Sequence, residues 1–288
     1  MSTQAEVEVS YDVSNDFFRL WLDEKMNYTC GIWDGVDTLE QAQVQKLDWL
    51  AQAAGVGPGK RFLDIGCGWG ACLDHMVTRK GVTDAVGITL SRAQAEQVRA
   101  RELTGVDCQV ISYADYVPEK KFDAVTSICM MEHIATPEQA RRGEHIGLYR
   151  DYFKKAWEWT NPGARFGLQT ILRNRVPRNK EDLRDIGWLT YHIFPGGLSL
   201  RLEDVVQAVN PYWEIMEIRT RRVDYQLTCA EWLNRLRQNE AHIRATWGDA
   251  VFDDYDRYLR TCVRGFDKHY QSLAQYALRR IDADELKA

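Results

Sequence analysis

The sequence predicts an α/β protein built on a doubly wound parallel sheet, and three observations lead there. Short apolar runs able to form buried strands recur roughly every 20–25 residues between positions 61 and 172. The segments between them carry apolar residues at helical spacing. A cluster of glycines directly follows the first strand, where open α/β sheets turn from strand into helix and collect their ligands.

Taken in order, residues 12–26 read as a helix capped by Asp12 or Ser14, with Phe17, Phe18, Trp21 and Leu22 on one face. A second helix is expected over 38–54, with Leu39, Ala42, Leu47 and Leu50 inward and Gly55 as its stop. Pro58-Gly59-Lys60 marks a turn into the strand 61–65. Helices over 69–80 and 91–104 alternate with strands over 84–89, 108–112 and 122–129. A polar, helix-prone stretch over 136–159 leads to a turn at Asn161-Pro162-Gly163 and a strand over 164–172. Beyond it come an irregular excursion over 173–197, a short helix over 201–209 and a strand over 213–221. Helices over 228–246 and 251–267 and a last edge strand over 271–279 complete the reading.

Composition narrows the function. The 288 residues carry 37 basic and 42 acidic side chains, a formal charge of −5 that argues against nucleic-acid binding. No apolar run approaches the length of a membrane span. The opening MSTQAEVEVS lacks the basic and apolar regions of a signal peptide, and the odd number of scattered cysteines fits reduced thiols in a cytoplasmic protein. The seven cysteines are scattered without a C-x-x-C pair, and the six histidines without an H-x-x-x-H pair, so neither a metal site nor a disulfide framework is expected.

The strongest local signal is Leu63-Asp64-Ile65-Gly66-Cys67-Gly68-Trp69-Gly70. A dinucleotide site would follow its strand with G-x-G-x-x-G. Here the spacing is G-x-G-x-G with an acid two positions before the first glycine, which resembles motif I of S-adenosylmethionine-dependent methyltransferases. Such a loop lets a ligand lie against backbone N–H groups at a helix N-terminus.

A wider set narrows the resemblance. Tyr11-Asp12, Tyr28-Thr29-Cys30, Leu39-Glu40-Gln41-Ala42-Gln43, Gly87-Ile88-Thr89-Leu90-Ser91 with Gln94, Met131-Glu132-His133, Phe194-Pro195-Gly196-Gly197 and Asp224-Tyr225 occur in order. Together they resemble the cyclopropane-fatty-acid synthase and mycolic acid methyltransferase family over nearly the whole chain. The resemblance implies a Rossmann-like class I methyltransferase domain over 1–288. Within it, 1–55 would form a helical cover, 56–172 the cofactor-binding core, 173–225 an acceptor-side excursion, and 226–288 terminal helices and an edge strand. It implies S-adenosylmethionine as methyl donor and S-adenosylhomocysteine as product. The implied cofactor contacts are Tyr28, Thr29, Asp64, Gly66, Gly68, Gly70, Thr89, Leu90, Gln94, Ala114 and Asp115. The implied acceptor pocket is Cys30, Ile128, Glu132 and Tyr225, with Ile128 counted among the cofactor contacts as well, and there the family holds a bicarbonate ion as base.

Two substitutions depart from that pattern. Ser10 and Gln169 stand where the family has histidines, so poor retention of bicarbonate is expected. Glutamine can still donate a hydrogen bond but cannot titrate. Glu132, just past a buried strand, is the expected stabiliser of cationic charge. Tyr225 and Gln169 are its expected companions, and His145, in a segment longer than in the lipid enzymes, is a candidate base. Cys262 reads as an inert buried thiol. The expected function is C-methylation of an unsaturated or lipophilic small molecule without ring closure. The other readings are a cyclopropane synthase on unsaturated acyl chains, an amine N-methyltransferase and a non-catalytic ligand-binding protein; the partners expected are a small lipophilic substrate and further copies of the same chain.

Overall fold

The computed structural model describes residues 13–285, so Ser10 and the Tyr11-Asp12 motif lie outside the described residues. Ser14 supplies the first cap, its hydroxyl accepting from Phe17 N at 3.2 Å, and opens helix α1 (Asn15–Arg19). That helix is far shorter than the 12–26 expected. Just beyond it the Asp23 carboxylate accepts the backbone N–H groups of Lys25 and Asn27, a local turn that competes with helix. Helix α2 (Leu39–Ala53) follows the prediction, capped by Thr38.

The core alternates as read. Strand β1 (Arg61–Ile65), helix α3 (Ala71–Arg79), β2 (Asp84–Thr89), α4 (Arg92–Ala100), β3 (Val106–Val110) and β4 (Phe122–Ile128) follow one another. A 3₁₀ turn at Met131–His133 leads into α5 (Pro137–Arg141) and α6 (His145–Glu158). Strand β5 (Thr160–Arg173) starts earlier than expected. Asn161-Pro162-Gly163 is therefore not a free turn but an irregularity within β5, matched by a register shift between Phe122 and Ala124 of β4. The excursion after β5 contains a helix, α7 (Lys180–His192), before α8 (Leu202–Val209) and β6 (Trp213–Thr220). Helices α9 (Arg222–Gln238), α10 (Glu240–Trp247) and α11 (Asp249–Asp267) precede β7 (Gln271–Arg280).

The seven strands form one sheet in the order β3-β2-β1-β4-β5-β7-β6. Strands β1 to β5 run parallel, and β7 runs antiparallel between β5 and β6. The expectation of an edge strand at 271–279 is thus corrected: β7 is interior, consistent with its unbroken buried run Ser272–Tyr276, and the largely exposed β6 is the edge. Alternating side chains send Phe62 toward α2 and α3 on one face and Leu63 and Ile65 toward α6 and α8 on the other. A third apolar cluster lies over the carboxyl ends of the strands. It gathers Phe17, Phe18, Trp21, Trp69, Tyr225, Trp232 and Tyr258 from α1 and the turn after it, the glycine loop, α9 and α11.

Candidate active site

Strand order reverses between β1 and β4, and the crevice beyond their carboxyl ends is where such sheets bind ligands. A cavity sits there. Its wall includes Asp64, Gly66, Gly68, Trp69, Thr89, Leu90, Gln94 and Ile128, with Tyr28 and Thr29 from the segment before α2. Asp64, 1 % exposed, accepts a hydrogen bond from Thr126 Oγ1 at 2.8 Å, and burial pushes its carboxyl up to about 6. Thr89 Oγ1 donates to Gln94 Oε1 at 3.0 Å and accepts from Ser91 N, which locks the turn from β2 into α4.

The glycines divide the work. Gly66 and Cys67 both donate to Ile88 O, so their N–H groups are occupied rather than open to a ligand. A Cβ on Gly66 would come within 2.7 Å of Met130 Cγ, and one on Gly70 within 2.7 Å of Val98 Cγ2; Gly70 does not line the cavity. At Gly68, with φ +54°, a Cβ would meet nothing within 4 Å. A side chain there would extend into open space at the cavity wall. That bare wall, with a buried carboxylate beside it, fits the amino-acid end of S-adenosylmethionine.

Two expected contacts fall elsewhere. Ala114 and Asp115 are not in the wall: the Ala114 carbonyl accepts from Lys155 Nζ at 2.8 Å, and Asp115 is exposed. Ile111, Ser112 and Tyr113 line the cavity in their place, because β3 ends two residues earlier than read. Lys46 also lines it and was not singled out. Its signal was available, since it lies on the same face of α2 as Leu39, Ala42 and Leu50.

A second, larger cavity of about 400 Å³ adjoins the first, and Tyr28, Cys129 and His133 line both. Its walls are mainly apolar or aromatic: Ile171, Leu189, Phe194, Tyr225, Tyr258 and Phe266, with the thiols of Cys229 and Cys262, and the exposed Arg173 and Arg175. Glu132 is the carboxylate among its described lining residues. Its Oε1 accepts from Ile171 N at 2.5 Å and from Thr170 Oγ1 at 3.1 Å, while Oε2 is buried without a partner. Burial pushes this carboxyl up to about 7. Tyr225 is on α9, and its ring stacks on Phe266 with centroids 4.5 Å apart. Burial raises its hydroxyl well above the usual range.

The remaining candidates do not reach this cavity. Gln169 is fully buried and lines neither cavity: its Oε1 accepts from Gln275 Nε2 at 2.8 Å across the β5–β7 pair, and its Nε2 faces the Sγ of the cavity-lining Cys129 at 3.8 Å. Cys30 is fully buried behind the wall, its thiol donating to Gly31 O at 3.0 Å. His145 begins α6 and faces Asp204 of α8, with Nε2 3.6 Å from Oδ1, outside the lining of either cavity. The longer segment 136–145 folds into α5 and the start of α6 and does not carry its histidine over Glu132. Cys262, expected to be inert in the core, is buried but lines the acceptor-side cavity.

Comparison with solved structures gives the class. The mycolic acid cyclopropane synthase CmaA1, complexed with SAH and CTAB, superposes with a TM-score of 0.87 at 26 % identity, over 96 % of this chain and 98 % of that one. The fold is that of the class I S-adenosylmethionine-dependent methyltransferases. A family model described as mycolic acid cyclopropane synthetase matches residues 1–276, and the chain belongs to that family. It is 30 % identical to cyclopropane mycolic acid synthase 2 of Mycobacterium bovis, over 94 % of this chain and 93 % of the relative. It is 29 % identical to the cyclopropane-fatty-acyl-phospholipid synthase of Escherichia coli over 89 % of its length, but spans only 63 % of that longer protein. Among the described residues no helix is long and apolar enough to cross a membrane.

Proposed function

We propose that this protein transfers a methyl group from S-adenosylmethionine to a carbon of an unsaturated, lipophilic acceptor, with Glu132 as the base and without ring closure. The observation that carries the reading is Glu132 itself. It is a buried carboxylate in an apolar cavity, with one oxygen held by Ile171 N and Thr170 Oγ1 and the other unpartnered. Tyr28, Cys129 and His133, shared by the two cavities, mark where donor and acceptor would meet.

When bound, S-adenosylmethionine supplies an electrophilic methyl on a sulfonium. The acceptor's π pair forms the new carbon–carbon bond while the S–CH₃ pair stays with sulfur. Glu132, in the carboxylate form, stabilises the positive charge left on the acceptor. Its free Oε2 then takes a proton from a carbon beside that charge, and the C–H pair restores a double bond. The apolar walls keep water from trapping the cation. The groups that could donate to a separate anion have protein partners: Gln169 Nε2 faces Cys129 Sγ at 3.8 Å, and the Cys30 thiol donates to Gly31 O. A rate insensitive to added bicarbonate is expected.

The names of the relatives favour a second reading, a cyclopropane synthase on unsaturated acyl chains. There the proton leaves the transferred methyl itself, and its carbon closes the ring. A ring and a methylated alkene have the same mass, so proton NMR of the product decides. Vinyl and methyl signals support methylation. Upfield cyclopropyl methylene signals, with turnover stimulated by bicarbonate, contradict it.

A further inference from the structure

The wall of the first cavity contains a buried cation with no role in the chemistry above. Lys46 projects from the apolar face of α2 and is 1 % exposed. Its Nζ donates to Asn27 Oδ1 at 2.8 Å and to Thr29 Oγ1 at 3.0 Å, both neutral acceptors. An ammonium has three N–H donors, and these partners use two. The carboxylates whose charge it feels are already engaged. Asp23 binds the backbone and amide of Asn27, and Asp64 binds Thr126. Burial drives the Lys46 ammonium toward its neutral form, the cost expected of a charge taken out of water without an anion beside it.

The side of the cavity on which this cation lies indicates what would complete it. Lys46, Thr29, Asp64 and Gly66 line the same space, so the wall offers a buried positive group and a buried acid within one cradle. A zwitterionic amino acid complements that arrangement, its carboxylate toward the lysine and its ammonium toward the aspartate.

We propose that Lys46 binds the α-carboxylate of the cofactor's amino-acid end through its third N–H, with Asn27 and Thr29 holding the ammonium in place. This inference rests on the reading of the first cavity as the S-adenosylmethionine site. Beyond it, the inference assigns the charged contact for the carboxylate to one residue of α2. The competing account is that Lys46 only staples the segment 23–29 to α2.

Calorimetry with two ligands separates the accounts: S-adenosylhomocysteine, and its analogue lacking only the carboxylate. The wild-type chain should prefer S-adenosylhomocysteine by at least about tenfold, as a buried charge-assisted contact implies. Lys46→Met should abolish the preference by weakening S-adenosylhomocysteine alone, leaving the analogue within about threefold of wild type. A variant that retains the preference, or that weakens both ligands equally, makes Lys46 a staple and overturns the proposal. Should Lys46→Met fail to fold, the wild-type comparison still decides, since equal binding of the two ligands overturns the proposal by itself. Failure of the wild-type chain to bind either ligand would overturn the cofactor-site reading as well, whereas binding without discrimination would overturn the Lys46 assignment alone.

Discussion

The two cavities that meet at Tyr28, Cys129 and His133 differ in how they are built. The donor-side wall uses backbone and charge: the Gly66–Trp69 turn, buried Asp64 and Lys46, and the Thr89–Gln94 pair. The acceptor-side wall uses aromatic rings, thiols and aliphatic side chains from α7, α9 and α11 around a single carboxylate, Glu132. One side fits a defined polar ligand, while the other offers mainly apolar volume around one carboxylate. Substitutions on the donor side should therefore act on cofactor affinity. Those on the acceptor side should act on turnover and on which acceptor is taken.

The largest expected effect breaks that division on the donor side. Gly68→Val forces a β-branched residue to φ +54° and places its side chain in the cofactor's space. Calorimetry should show S-adenosylhomocysteine binding weakened by more than about a hundredfold. If binding is unchanged, the loop is only a connection between strand and helix. On the acceptor side, Glu132→Gln should leave that affinity within about twofold while turnover falls by on the order of a hundredfold. A parallel loss of binding would erase the distinction between the cavities.

Stability sharpens the comparison further. The Glu132 carboxyl is raised from 4.5 to about 7 by burial. Between these values the unfolded chain ionises while the folded one holds its proton, so stability is lost as pH rises through that window. Glu132→Gln removes the penalty. Denaturant unfolding should show the variant gaining on the order of 3 kcal/mol relative to wild type between pH 4 and pH 8. An equal difference at both pH values would mean that Glu132 is solvated in the folded protein. The smallest effect is expected at His145, which faces Asp204 away from both cavities. Turnover of His145→Ala should stay within about twofold of wild type, and a larger loss would return the histidine to the list of bases.

The two walls also differed in how far the sequence revealed them. The donor side is largely one strand–turn–helix unit and its neighbours, so residue type and spacing located Asp64, Gly68, Thr89 and Gln94 from contiguous stretches. Its misses are local, as at Ala114 and Asp115, where a strand ends two residues early and Ser112 and Tyr113 take the wall. Gly66 and Gly70 matter through packing against Met130 and Val98, which spacing does not report. The acceptor side is assembled from segments more than a hundred residues apart, and no period in the sequence specifies that packing. Glu132 was legible because it directly follows β4, and Tyr225 through the family resemblance. Gln169 was misplaced because its partner Gln275 comes from β7, whose interior, antiparallel position was not anticipated.

The central claim is that the Glu132 carboxylate performs the acceptor-side chemistry. The most direct test is the pH dependence of kcat for wild type and Glu132→Gln on one accepted substrate, without added bicarbonate. Wild-type turnover should rise through a single ionisation near pH 7 as the carboxyl loses its proton. The variant should be slow and flat over the same range. A variant that keeps the wild-type rate, or its ionisation near pH 7, would contradict the claim and assign the base to another group.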